Sequence, residues 1–216
     1  SGLEAGFRRA DRRRLEVLIH EWLMLEATRA PFSVEATEQE IKYDSNGLCL
    51  RFKLDRIDRL NQEDDGMPLK PSRLILDYKS GKCELRNWTD DRPVEPQIPL
   101  YYLALHGDAA ATTEALSFAQ VRAGECRFVG ISEQPGALPD VSSLSELPNN
   151  NKLKKELVDW PSIIPTWERR IARLLDQFRH GDARVNPRSS ASCQYCEFGP
   201  LCRVYTLKTR EEENGG

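Results

Sequence analysis

Two charged residues stand two positions apart at the end of an apolar run, Leu74-Ile75-Leu76-Asp77-Tyr78-Lys79-Ser80-Gly81. In an extended strand alternate side chains share a face, so Asp77 and Lys79 point the same way, beside Ile75. A carboxylate can hold a divalent cation, and a neighbouring ammonium can stabilise a developing anion or orient a water. The plainer possibility is a surface ion pair at a strand end. Asp55 lies on the preceding apolar segment, where Leu48, Leu50, Phe52 and Leu54 alternate and the pattern slips before Ile57. A bulge or sharp twist in that strand, around Asp55 and Asp58, would re-aim a side chain. If the two strands pair, Asp55 reaches the face that carries Asp77, and two carboxylates converge beside Lys79. Such a pair can hold an ion that activates water and neutralises charge on a pentavalent phosphate, as phosphodiester hydrolysis requires.

The elements that must position these groups follow from periodicity. A helix is predicted from about Arg12 to Thr28, with Leu15, Leu18, Ile19, Trp22 and Leu25 as its apolar stripe, His20 near its polar side and Pro31 as its stop. Strands over Val34 to Tyr43 and Leu48 to Leu60 flank an Asp44-Ser45-Asn46-Gly47 turn. A polar loop, Asn61 to Ser72, carries the acidic run Glu63-Asp64-Asp65 and leads to the strand at Asp77. After a loop with Trp88 and Asp90-Asp91-Arg92, a helix begins at Pro96 and places Gln97 and Tyr101, four apart, on one face. Two further strands, about Ala115 to Arg122 and Arg127 to Ser132, precede a surface loop over Glu133 to Asn151. A last long helix, roughly Ile164 to His180, has Trp167, Ile171, Leu174, Leu175 and Phe178 at core spacing, with Gly181 as its stop. The expected element order is helix, three strands, helix, strand, strand and a late helix, an α/β arrangement.

The chain has 216 residues, enough for one large domain or a domain plus an appendage, and a formal net charge of -3. That charge provides no global basic field for nucleic acid, so any such contact must be local. No apolar run is long enough to span a bilayer and no signal-peptide pattern opens the chain, so no membrane role is expected. Ser1-Gly2 reads as a tag remnant ahead of an N-terminally truncated domain. Of six cysteines, Cys193, Cys196 and Cys202 form a C-x2-C-x5-C pattern that favours a metal site in a reducing compartment, with zinc or iron both open from spacing and a set of free thiols as the plain alternative. Cys49, Cys83 and Cys126 read as ordinary strand or loop cysteines.

Phe52-Lys53-Leu54-Asp55-Arg56-Ile57-Asp58-Arg59, Asp77-Tyr78-Lys79-Ser80-Gly81 and Gln97-Ile98-Pro99-Leu100-Tyr101, in that order, resemble the PD-(D/E)XK nuclease superfamily, and are most similar to the nuclease domains of RecB and AddB. The resemblance runs from about Arg12 to Cys202. It implies a restriction-endonuclease-like core, an α/β fold whose mixed sheet is flanked by helices in the order αβββαβ, with Asp55 and Asp77 as ligands of Mg2+ or Mn2+, Lys79 as the catalytic lysine, and Gln97 and Tyr101 helping to position DNA and the site. Cys193, Cys196 and Cys202 would supply three ligands of a [4Fe-4S] cluster, or of Zn2+, and the fourth cysteine would lie upstream. A histidine metal ligand on an N-terminal helix of the family would lie upstream too, leaving His20 as a surface or half-buried residue. Phe52 stands where the family usually has a glycine. Glu38 is a further polar group that could lie near the metal, though a strand-surface glutamate is the plainer reading, and Asp58 is expected to pair with Arg56 or Arg59.

The implied organisation is a nuclease core over residues 1–188, then a cysteine segment and disordered acidic tail over 189–216. The implied protein is a metal-dependent DNA exonuclease in DNA repair and recombination, in the bacterial cytosol near the nucleoid. Its partners would be DNA, an N-terminal helicase-like region of the parent polypeptide and a partner helicase subunit. The competing expectations are a catalytically silent DNA-binding or assembly module on the same fold, and a metal-stapled interaction domain.

Overall fold

A computed structural model describes residues 2–60, 63–64, 67–68, 72–106 and 112–202. The expected acidic tail, Asp65 and most of the 61–71 loop lie outside the described residues. The first helix, α1 (Gly2–Glu26), starts earlier than its predicted start at Arg12. Its apolar stripe is only partly a core face. Trp22 is buried and Leu18 and Leu25 half-buried, while Leu15 and Ile19 are more than half exposed. The reason is geometric: Leu15 sits two turns back from Trp22, and Ile19 is turned about 60° away from it.

Strands β1 (Phe32–Ser45) and β2 (Leu48–Leu60) form a long antiparallel ribbon. Asn46 and Gly47 both take positive φ, 51° and 75°, as a two-residue primed hairpin turn requires. The short pair β3 (Glu63–Asp64) and β4 (Met67–Pro68) stands apart. Strand β5 (Ser72–Lys79) then leads through a 3-10 turn at Leu85–Trp88 to α2 (Gln97–Leu105), where Pro99 falls in the first turn and removes no intrahelical bond. After α2 come β6 (Thr112–Gln120), β7 (Arg127–Ser132), the two-residue β8 (Ser142–Ser143) and α3 (Lys152–Glu156). The chain continues into α4 (Ile163–Arg179) and α5 (Gly199–Cys202).

The main sheet runs β1-β2-β5-β6-β7-β8. It is mixed: β5 pairs β6 in parallel, with α2 as the crossover, while β1/β2, β2/β5 and β6/β7 are antiparallel. Alternation along β5 feeds two cores. Leu74 and Leu76 join Trp22, Leu60 and Phe128 beneath α1, and Ile75 joins Ile98, Tyr102, Phe118 and Trp167 beneath α2 and α4. These layers make the expected mixed sheet with flanking helices, a restriction-endonuclease-like architecture. In α4, Trp167 and Ile171 are buried as the spacing predicts, but Phe178 is 77% exposed. The predicted loop over Glu133 to Asn151 contributes β8, which pairs in parallel with the end of β7 at Ile131–Ser142 and Ser132–Ser143.

Candidate active site

Strand β2 pairs with β5 only from Arg56 to Leu60, although it pairs with β1 as far as Leu48. The last rung is Arg56 opposite Leu76, so the strands splay just where Asp55 and Asp77 would be the next pair. The slip seen in the sequence is real, since Leu54 and Ile57 both enter the core beneath α2 and α4. The bulge, however, lies in β1, not in β2: the register shifts between Val34 and Ala36. Glu38, bracketed by the Thr37–Arg56 and Gln39–Leu54 pairs, takes the left-handed region at φ 51°. Irregularity in the outer strand therefore lets β2 bend away while β2 itself remains continuous.

Side chains close the splayed end. The Tyr78 backbone N–H donates to Asp55 Oδ2 at 2.8 Å, replacing a missing ladder bond. On the opposite face Arg56 donates to the Tyr78 hydroxyl at 2.8 Å. Arg56 also bonds Asp58, which is fully buried and takes a second ion pair, at 2.6 Å, from Arg29. Asp58 is thus a structural partner of Arg56, as expected, and of Arg29, while Arg59 pairs with Glu35. Neither Tyr78 nor Arg29 was singled out in the sequence, because their partners depend on register and not on local spacing.

Asp77 is fully buried. Its Oδ2 lies 2.6 Å from the Lys79 ammonium yet accepts no well-aligned hydrogen bond, and its Oδ1 lies 3.4 Å from the Tyr101 hydroxyl. Burial pushes the Asp77 carboxyl above its ordinary range; Lys79 opposes that shift and the Asp55 charge adds to it. Lys79 donates to Gln97 Oε1 as well. Tyr101 donates to the Lys53 carbonyl at 2.9 Å and packs on Phe52, with ring centroids 5.4 Å apart, so Phe52 has a packing role. Burial, then the Asp77 and Asp55 charges, raise the Tyr101 hydroxyl pKa and keep it a donor. Asp55, Asp77, Lys79, Gln97 and Tyr101, from two strands and one helix, thus meet at one place.

The donor set suits a hard divalent cation. Mg2+ is commonly held by one or two carboxylates with water and phosphate completing the shell, and Asp77 Oδ2 is a buried acceptor without an aligned donor. Glu38 pairs with Lys53 at 2.7 Å on an exposed surface. His20 is exposed on α1, the helix that covers the other face of the sheet. Among the described residues no three His, Cys, Asp or Glu side chains gather as a metal-holding group, so Cys193, Cys196 and Cys202 do not form a closed site. All three are free thiols, Cys196 exposed and Cys193 and Cys202 half-buried at the ends of short helices. A tetrahedral or cubane centre needs four ligands, and this trio does not fit one in the arrangement seen.

A mixed sheet that sets two carboxylates and a lysine at the splayed end of adjacent strands defines the restriction-endonuclease-like class. The sequence matches the PD-(D/E)XK nuclease superfamily over residues 2–203, and the chain belongs to that superfamily. No curated protein matches it. Among the described residues no helix is long and apolar enough to cross a membrane.

Proposed function

We propose that this chain is a metal-dependent deoxyribonuclease domain that hydrolyses phosphodiester bonds. The observation that carries the reading is the buried Asp77 carboxylate 2.6 Å from Lys79, with Asp55 fastened to the intervening peptide. A bound Mg2+ or Mn2+ held by Asp55 and Asp77 would supply an activated water and neutralise phosphate charge. Lys79 places a fixed positive charge where the phosphate gains negative charge, and Gln97 holds its ammonium in orientation. Tyr101 ties Asp77 to the β2 backbone.

The RecB/AddB-like motifs support finer assignments. These are an exonuclease of DNA repair and recombination in the bacterial cytosol, a core over 1–188 with a cysteine segment over 189–216, and helicase-like and helicase-subunit partners. They also support a [4Fe-4S] or zinc centre on Cys193, Cys196 and Cys202, which would need both a fourth ligand and a rearrangement of the segment that draws the three thiols together. The net charge of -3 favours the competing reading, a catalytically silent DNA-binding or assembly module on the same fold.

Degradation of end-labelled linear DNA with Mg2+, Mn2+ or EDTA separates these readings. Metal-dependent cleavage that falls at least about 100-fold in both Asp77→Ala and Lys79→Ala is the expected outcome. Cleavage that survives in EDTA, or in both variants, would overturn the nuclease assignment to this site.

A further inference from the structure

The site has a neighbour on the same face of the sheet. Lys79 pairs across the strands with Gln120, and Gln120 with Arg127, so the three side chains form one row. Two strand spacings put Arg127 about 10 Å from Lys79. Buried Gln120 braces the row: it accepts from the Cys83 N–H at 2.8 Å and donates to the Glu125 carbonyl at 2.9 Å. Beyond Cys83 opens a groove of about 710 Å³, lined among others by Arg86, Arg127 and Lys152, with Glu84 and Asp140 as its acids. A volume of that size is typical of a ligand site.

Arg86 is already paired with Glu84, and Lys152 with Asp90. Arg127 is exposed and has no ion-pair partner among the described residues. Cys83 links the two places, since its backbone N–H donates to Gln120 and the residue lines the groove.

We propose that this groove is an extension of the active site that takes the nucleic-acid strand beyond the scissile phosphate, with Arg127 contacting a backbone phosphate. The proposal rests on the nuclease reading above. A groove open to solvent, with an exposed guanidinium in line with the catalytic lysine, suits a polyanion that must continue past the reacting bond. Arg127 would act on binding and not on the chemical step.

The test is binding of a labelled single-stranded oligonucleotide in the Asp77→Asn background, where the strand stays intact, together with kinetics in the native protein. Arg127→Ala should weaken binding about 5- to 20-fold and reduce the slope of log affinity against log salt by about one. KM should rise with kcat nearly unchanged, and Arg127→Lys should recover most of the affinity. Ser142→Trp, which fills the groove from an exposed position, should weaken binding comparably. Unchanged affinity and salt slope in Arg127→Ala and Ser142→Trp, in a protein that still cleaves DNA, would overturn the groove alone. A native protein that neither binds nor cleaves DNA would overturn the nuclease reading and the groove with it.

Discussion

Tyr101 connects three parts of the site through one buried hydroxyl. It donates to the Lys53 carbonyl, lies 3.4 Å from Asp77 Oδ1, and its ring rests on Phe52. Tyr101→Phe keeps the ring contact, removes both polar contacts and leaves the Lys53 carbonyl without this donor. An unsatisfied acceptor of that kind costs about 1 kcal/mol. The expected result is a Tm lowered by about 2–4 °C and a kcat/KM for DNA cleavage lowered by about tenfold. Thermal unfolding and cleavage kinetics on the same preparation check both. A stability loss with unchanged kinetics would make Tyr101 purely structural. Lys79 depends on neighbours in the same way, because Asp77 and Gln97 both draw on its ammonium.

At the scale of elements, the bulge in β1 sets the geometry of the β2 end nearest the site. Glu35, the extra residue at the register shift, bonds Arg59 on β2 and Arg73 on β5, at 3.2 and 2.5 Å. One side chain thus pins three strands. Hydrogen bonding from Arg73 first, and then from Arg59, holds the Glu35 carboxyl below its usual value of 4.5, against the opposing effect of burial. A depressed acid contributes stability that is present above pH 4.5 and is lost as pH falls through the folded-state pKa. Glu35→Gln should therefore lower the Tm at pH 7 by about 2–4 °C, as expected for the loss of about 1 kcal/mol. The gap from wild type should close below pH 4.5. Melting curves across pH test this, and an equal gap at both ends would remove the charge-based account.

For the whole molecule, the C-terminal segment is held to the core by charge more than by apolar burial. Asp90, in the loop that leads to α2, binds Arg188 at 2.6 Å and Lys152 as well, and Arg92 donates to the Asn186 carbonyl at 2.6 Å. Around the cysteines, Tyr195, Phe198 and Leu201 are all at least 66% exposed. Asp90→Ala should release this segment: limited proteolysis within residues 182–202 should speed up several-fold, with the main unfolding transition almost unmoved. Unchanged cleavage there would mean that other contacts hold it. Exposed ion pairs contribute little singly, so the effect requires Asp90 to act as a shared hub.

Local periodicity made much of this protein legible. The two-residue step from Asp77 to Lys79, the four-residue step from Gln97 to Tyr101, and the Asn46-Gly47 turn each depend only on backbone geometry, and each takes its expected form. Other features required the fold. Whether Leu15 and Ile19 are covered depends on how far α1 overhangs the sheet. Which strand carries the bulge depends on the pairing of β1 with β2. That Asp55 hangs on the Tyr78 N–H, and that Arg127 aligns with Lys79, follow from strand order and register. Register is a relation between residues distant in the chain, set by the competition of whole apolar faces for burial, and no local repeat encodes it.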